Sequence, residues 1–155
     1  MVEKIISVDG TPIAYHRRGG GPPLVLVHGS SGSNPVVGWP AILPALEEHF
    51  SVYAVDRRGY RQSGDGLVYA IEREFEDIAA LVDSIGEPAD LLGHSFGALC
   101  ALGAALLTPN IRKLVLYEPA IKAPGVTLYP DGFVERLQAL LVTGDREEIV
   151  SAIFR

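Results

Sequence analysis

The chain has 155 residues, enough for one compact domain and too few for two comfortable ones. Hydrophobic residues make up 48% and charged residues 21%, a balance that supports a packed core and excludes global disorder. A formal net charge of −6 argues against nucleic acid or an anionic membrane surface as the partner.

The first thirty residues read as strands. Ile5, Ser7 and Asp9 alternate with their neighbours, Asp9-Gly10 marks a hairpin turn, and Pro12 to Arg18 is the return strand. Gly19-Gly20-Gly21-Pro22-Pro23 then breaks the chain. Leu24 to His28 is a short continuous run of the kind buried on both faces of a parallel sheet. A short helical segment ending near Phe50 precedes a second such run, Ser51 to Val55; Pro40 and Pro44 leave the start of that helix open. The clearest helix covers residues 71–85, where Ile71, Phe75, Ile78, Val82 and Ile85 recur at helical spacing, with Glu72, Glu76 and Asp83 on other faces. Gly86 is a natural C-terminal cap. Ala89 to Leu92 is the next buried strand, Phe96 to Leu107 the next helix, and Lys113 to Tyr117 another strand. Strands alternating with helices predict the α/β class, with a mostly parallel, doubly wound sheet. From Ala120 the character changes to a Pro/Gly loop, a helix around Phe133 to Leu141, and a second helix from about Asp145.

No run of 18 apolar residues is present, so no transmembrane helix is expected. Met1 to Lys4 are polar and strand-like, unlike a secretory signal. One cysteine, Cys100, permits neither an internal disulfide nor a cysteine-rich metal site; it reads as a small buried hydrophobe. The cytoplasm is the expected compartment.

The chemistry sits in Gly93-His94-Ser95-Phe96-Gly97, between the strand Asp90-Leu91-Leu92 and a helix rich in Ala98, Leu99, Ala101 and Leu102. A Gly-x-Ser-x-Gly pattern alone is weakly specific. Its mechanics require a strand before and a helix after, and both are here. Such a turn strains the serine backbone and needs small neighbours, because side chains there collide with strand and helix. The hydroxyl then projects at a helix N-terminus, where free N–H groups favour a developing oxyanion. The plainer reading, that Ser95 only caps a helix, is set against that context. A second loop, His28-Gly29-Ser30-Ser31-Gly32, follows the strand Leu24 to Val27 and is able to aim a backbone N–H into the same crevice.

With these motifs the chain resembles the α/β-hydrolase family, nearly throughout up to about Pro119. Asp56-Arg57-Arg58-Gly59-Tyr60-Arg61-Gln62-Ser63 resembles the family's Asp-x-Arg-Gly-x-Gly-x-Ser loop, with Arg61 in place of its second glycine. Leu114-Val115-Leu116-Tyr117-Glu118-Pro119 resembles its sixth strand and exit. The resemblance implies the α/β-hydrolase fold with its first six strands present. Residues 1–119 are then the N-terminal part of the core and residues 120–155 the start of a helical cap or lid. It further implies Ser95 as nucleophile and the backbone N–H groups of Ser30 and Phe96 as an oxyanion hole. Metal and organic cofactors are not implied, and the partner is a small-molecule substrate.

The family's order is nucleophile, acid, then histidine, yet no histidine follows Ser95. His94 adjoins the nucleophile, but neighbours on a sharp turn point apart; His28 belongs to the loop motif, while His16 and His49 read as surface or packing residues. Glu118 lies where some members place the acid, and its plainer reading is a loop carboxylate. Ser151 to Arg155 carry no helix-stopping signal, and Leu114 to Tyr117 form an apolar sheet edge, so the sequence is expected to be incomplete. The implied activity is hydrolysis of an ester or similar small acyl substrate through an acyl-serine, with these 155 residues alone inactive. Carbon–carbon bond hydrolysis, lyase or cofactor-free peroxidase chemistry on the same fold are alternatives, as is a non-catalytic binding module.

Overall fold

The computed structural model describes residues 2–30, 39–127, 130–144 and 146–153. The chain divides into two compact units, Met1–Ala120 and Ile121–Arg155.

The first unit is built on one six-stranded sheet. Its strands are β1 (Val2–Ile6), β2 (Pro12–Gly19), β3 (Pro23–Val27), β4 (Ser51–Val55), β5 (Ala89–His94) and β6 (Ile111–Tyr117). The spatial order is β1-β2-β4-β3-β5-β6. β1 and β2 are antiparallel to each other, and β2 is antiparallel to β4, while β4, β3, β5 and β6 run parallel. The sheet is thus mostly parallel, as its βα alternation requires. The Asp9-Gly10 turn sits in a longer connection than a two-residue hairpin, with Ile6 opposite Pro12. The Asp9 carboxylate accepts the Thr11 N–H at 3.0 Å and shapes that loop.

Helices cover both faces. On one side lie α2 (Ile71–Ser84) and α3 (Phe96–Ala104), packing Ile78, Leu81, Val82, Cys100 and Ala101 against Ile13, Val25, Val27, Val55 and Leu91. On the other lies α1 (Leu43–Glu47), where Leu43 and Trp39 meet Leu24, Leu26, Val52 and Ala54. All five residues of β3 and all five of β4 are buried, which explains their unbroken apolar runs. Leu26 is fully buried, and its truncation to alanine would cost about 2–5 kcal/mol. α3 is apolar around most of its circumference because it lies in the interior. It stops at Ala104, short of the Leu107 expected from the sequence: Leu106 and Leu107 bond three residues back instead of four, and Pro109 forbids a longer helix.

The second unit holds α4 (Phe133–Thr143) and α5 (Arg146–Ile153). Gly144 closes α4 in the left-handed region at φ 71°, donating its N–H to the Leu140 carbonyl at 3.2 Å. No residue of α4 is buried.

Candidate active site

Ser95 stands between β5 and α3 with φ 54° and ψ −120°, a backbone conformation that an L-residue adopts only under strain. The turn is held from both sides. Its N–H donates to the Tyr117 carbonyl at 2.9 Å, and its carbonyl accepts the N–H of Ala98 at 3.0 Å and of Ala120 at 3.2 Å. Two glycines make the turn possible. A Cβ on Gly93 would lie 2.5 Å from the Ala98 Cα and the Gly97 carbonyl oxygen. A Cβ on Gly97 would strike the Val27 and His28 carbonyl oxygens. The N-terminus of α3 therefore lies directly against the end of β3.

That contact brings the second loop to the serine. β3 and β5 are neighbours, and the chain winds away from β3 in opposite directions, to β4 on one side and β5 on the other. A crevice at the carboxyl ends of two such strands is where ligands bind in open α/β sheets. A Cβ on Gly29 would sit 3.0 Å from the Ser95 Cβ, so the Gly29–Ser30 backbone lies against the nucleophile candidate. The Phe96 N–H belongs to the first turn of α3, whose amides have no carbonyl one turn behind them. The structure thus brings Ser95, Phe96 and Ser30 together. Ser31 and Gly32 lie outside the described residues.

Behind this loop is a buried charge network. Arg57, 3% exposed, donates two hydrogen bonds to Glu74 at 2.6 and 2.7 Å. Its Nη1 also faces the carbonyls of His28 at 3.5 Å and Gly29 at 3.4 Å. The guanidinium carbon lies 4.6 Å from the centre of the Phe96 ring and 5.1 Å from that of Tyr60. The buried His28 accepts the Arg57 backbone N–H at Nε2 (3.2 Å), which leaves the ring proton on Nδ1, 2.7 Å from the Gly29 carbonyl oxygen. Burial holds the His28 pKa below its ordinary value, so the ring stays neutral. The Tyr60 hydroxyl donates to the Ser30 carbonyl at 3.0 Å.

The remaining candidates separate clearly. Glu118 is exposed at the end of β6, one residue beyond the Tyr117 that bonds Ser95, and it too is left-handed, at φ 46°. His94 packs its ring between Trp39 and Tyr117, at centroid distances of 6.1 and 5.3 Å. Those three side chains, with Ile42, Leu92 and Val115, line a cavity of about 450 Å³ beside the turn. His16 faces Asp56 across 3.6 Å, and His49 is exposed beyond α1. Burial, and then the charge of Glu74, pushes the Cys100 thiol up to about 12, leaving it unreactive near neutrality. Arg61 holds the place of the resembled motif's second glycine in the left-handed region, at φ 44°, so the loop keeps that turn at the cost of strain.

Sequence reasoning missed Arg57, Glu74 and Asp77. The buried side of α2 takes Glu74 (2% exposed) and Asp77 (2% exposed) as well as the apolar stripe. The available signal was Arg57-Arg58 at the end of a buried strand: two cations there demand two anions, and Glu74 and Asp77 lie three apart on the next helix.

Among the described residues, no helix is long and apolar enough to cross a membrane. Residues 24–154 match the profile of the alpha/beta hydrolase family. The chain is 35% identical over 130 residues to N-formylmaleamate deformylase of Pseudomonas putida, covering 81% of this chain and 48% of that protein. It is 32% identical over 120 residues to 2-hydroxy-6-oxo-2,4-heptadienoate hydrolase of Pseudomonas putida, covering 74% of this chain and 44% of that one. A solved alpha/beta hydrolase from Sphaerobacter thermophilus superposes with a TM-score of 0.84 at 40% identity, over 97% of this chain and 58% of its own. The chain spans about half the length of the curated relatives it matches. On its fold and on these matches, the chain belongs to the alpha/beta hydrolase family.

Proposed function

We propose that the protein hydrolyses a small carbonyl compound through an acyl-enzyme on Ser95. The observation that carries this reading is the strained Ser95 turn at the end of β5, with the Gly29–Ser30 backbone against it. In this reading the Ser95 Oγ attacks the carbonyl carbon, and the oxygen takes negative charge while facing the Phe96 and Ser30 N–H groups. The tetrahedral species collapses, the leaving group departs with a proton, and water then cleaves the acyl–Ser95 bond to release an acid. A base must take the serine's proton. His28 has both ring nitrogens engaged, His16 faces Asp56, His49 is on the surface and His94 is packed between two aromatic rings. We therefore assign the base to a part of the protein beyond these 155 residues. Glu118 is retained as the candidate acid on its position next to the Tyr117–Ser95 bond. Residues 120–155 are taken as the opening of a helical cap, supported by two helices following the last strand. The compartment is taken as cytoplasmic, on a lone buried cysteine without a disulfide partner.

A serine poised at such a turn supports ester hydrolysis as the first reading. The relatives favour a second reading. One is named for a formyl amide, and the other for a dienoate whose name holds a ketone and no ester, which leaves a carbon–carbon bond to be cleaved. The test uses the full-length protein. A fluorophosphonate probe is expected to label Ser95, and Ser95→Ala to abolish labelling. Turnover of a nitrophenyl ester, a formyl amide and a 2-hydroxy-6-oxo-dienoate then separates the readings. Labelling that persists in Ser95→Ala would overturn the nucleophile assignment.

A further inference from the structure

A trans peptide is planar, with its C=O and N–H pointing in opposite directions. The Ser30 N–H shares its peptide with the Gly29 carbonyl, so whatever grips that carbonyl sets the direction of that N–H. Two donors grip it: the His28 Nδ1 at 2.7 Å and the Arg57 Nη1 at 3.4 Å. The next carbonyl, that of Ser30, is held by the Tyr60 hydroxyl at 3.0 Å.

We propose that Arg57 is a positioning residue, whose guanidinium, braced by Glu74, fixes the direction of the Ser30 N–H and seats Phe96 beside it. The inference rests on Ser95 acting as the nucleophile. Three features separate Arg57 from an ordinary buried ion pair. Its charge is spent on Glu74 through two short bonds, which fix the plane of the fork. Glu74 is itself held by the Tyr69 hydroxyl at 3.0 Å. The fixed guanidinium then touches both halves of the proposed oxyanion hole, the carbonyls of residues 28 and 29 and the ring of Phe96. Arg57 acts through the backbone of residues 28–30 and the Phe96 ring. Lysine cannot replace it, because a single ammonium cannot bond Glu74 twice and face two carbonyls in one plane. Tyr60 adds a weaker, separate restraint on the same loop.

A buried pair replaced by apolar residues of similar size commonly keeps or gains stability. The full-length protein carrying Arg57→Met with Glu74→Leu therefore separates positioning from scaffolding. Unfolding midpoints near the parent's are expected, with kcat for a nitrophenyl ester down tenfold or more and KM little changed. The rate of fluorophosphonate labelling should fall in proportion, because phosphonylation places its oxygen in the same hole. Arg57→Lys keeps a cation opposite Glu74 without the planar fork and should also fall severalfold, so the test does not depend on the double variant folding. With labelling abolished by Ser95→Ala, parent-like kcat and labelling rates in either folded Arg57 variant would overturn the role of Arg57 alone. Labelling that survives Ser95→Ala would instead overturn the reading of the site on which the role rests.

Discussion

Arg57 and Arg58 leave the end of β4 side by side, both buried, each making two hydrogen bonds to a carboxylate of α2. They serve different loops at the same carboxyl end of the sheet. Arg57 turns toward the loop beside Ser95, whereas Arg58 binds Asp77 at 2.8 and 2.9 Å and reaches Asp9 at 2.7 Å and Thr11 at 3.1 Å in the β1–β2 connection. The hydrogen bonds that Arg58 donates to both carboxylates keep its guanidinium charged. The same ion-pair chemistry on the same helix thus ties down the loop beside Ser95 in one case and a hairpin in the other. What a buried pair is for follows from what its spare N–H groups touch, and pairing alone is weak evidence for stability.

That contrast breaks most visibly at Arg58. Arg58→Ala strands Asp77 without its cation, and the expected loss is about 3–5 kcal/mol in chemical unfolding. Arg58→Met with Asp77→Leu should regain most of it without changing the kcat of the surviving folded protein. A loss of turnover in that stable double variant would erase the distinction between the two arginines.

A smaller effect lies at Asp9, whose carboxyl the Arg58 hydrogen bond holds well below the usual carboxylate range. A group with a depressed folded pKa adds stability above its unfolded value, about 3.9, and loses it as pH falls toward the folded value. The parent should therefore unfold at a higher temperature than Asp9→Asn at pH 7, and the gap should narrow steadily as pH falls below about 4. A difference independent of pH would mean that the hairpin does not need the charge.

Two strained residues sharpen the comparison further, one in the site and one in the frame. Ser95→Gly relieves a left-handed backbone at φ 54° and should gain about 1 kcal/mol while abolishing probe labelling, as expected where strain serves the chemistry. Arg61→Gly relieves φ 44° on an exposed loop and should gain about 0.5 kcal/mol after the glycine's own entropy cost, with turnover unchanged. A loss of stability in either variant would show that its side chain holds the turn in place.

The sequence by itself determined the parallel sheet, because Leu24 to Val27 and Ser51 to Val55 are runs that only strands buried on both faces use. It also determined the Ser95 turn, since a side chain on Gly93 would collide with Gly97 and Ala98, and that constraint is local. The stripe Ile71, Phe75, Ile78 and Val82 likewise located α2 by period alone. What only the tertiary structure decided is which distant groups meet. That Arg57 pairs with Glu74 and Arg58 with Asp77, rather than the reverse, depends on how α2 is rotated against the sheet, and Glu74 and Asp77 look like surface carboxylates until that rotation is known. The proton on His28 was equally invisible, because it follows from a backbone N–H twenty-nine residues away. Local steric rules write themselves into neighbouring letters, whereas a buried charge network is fixed by packing between elements far apart in the chain.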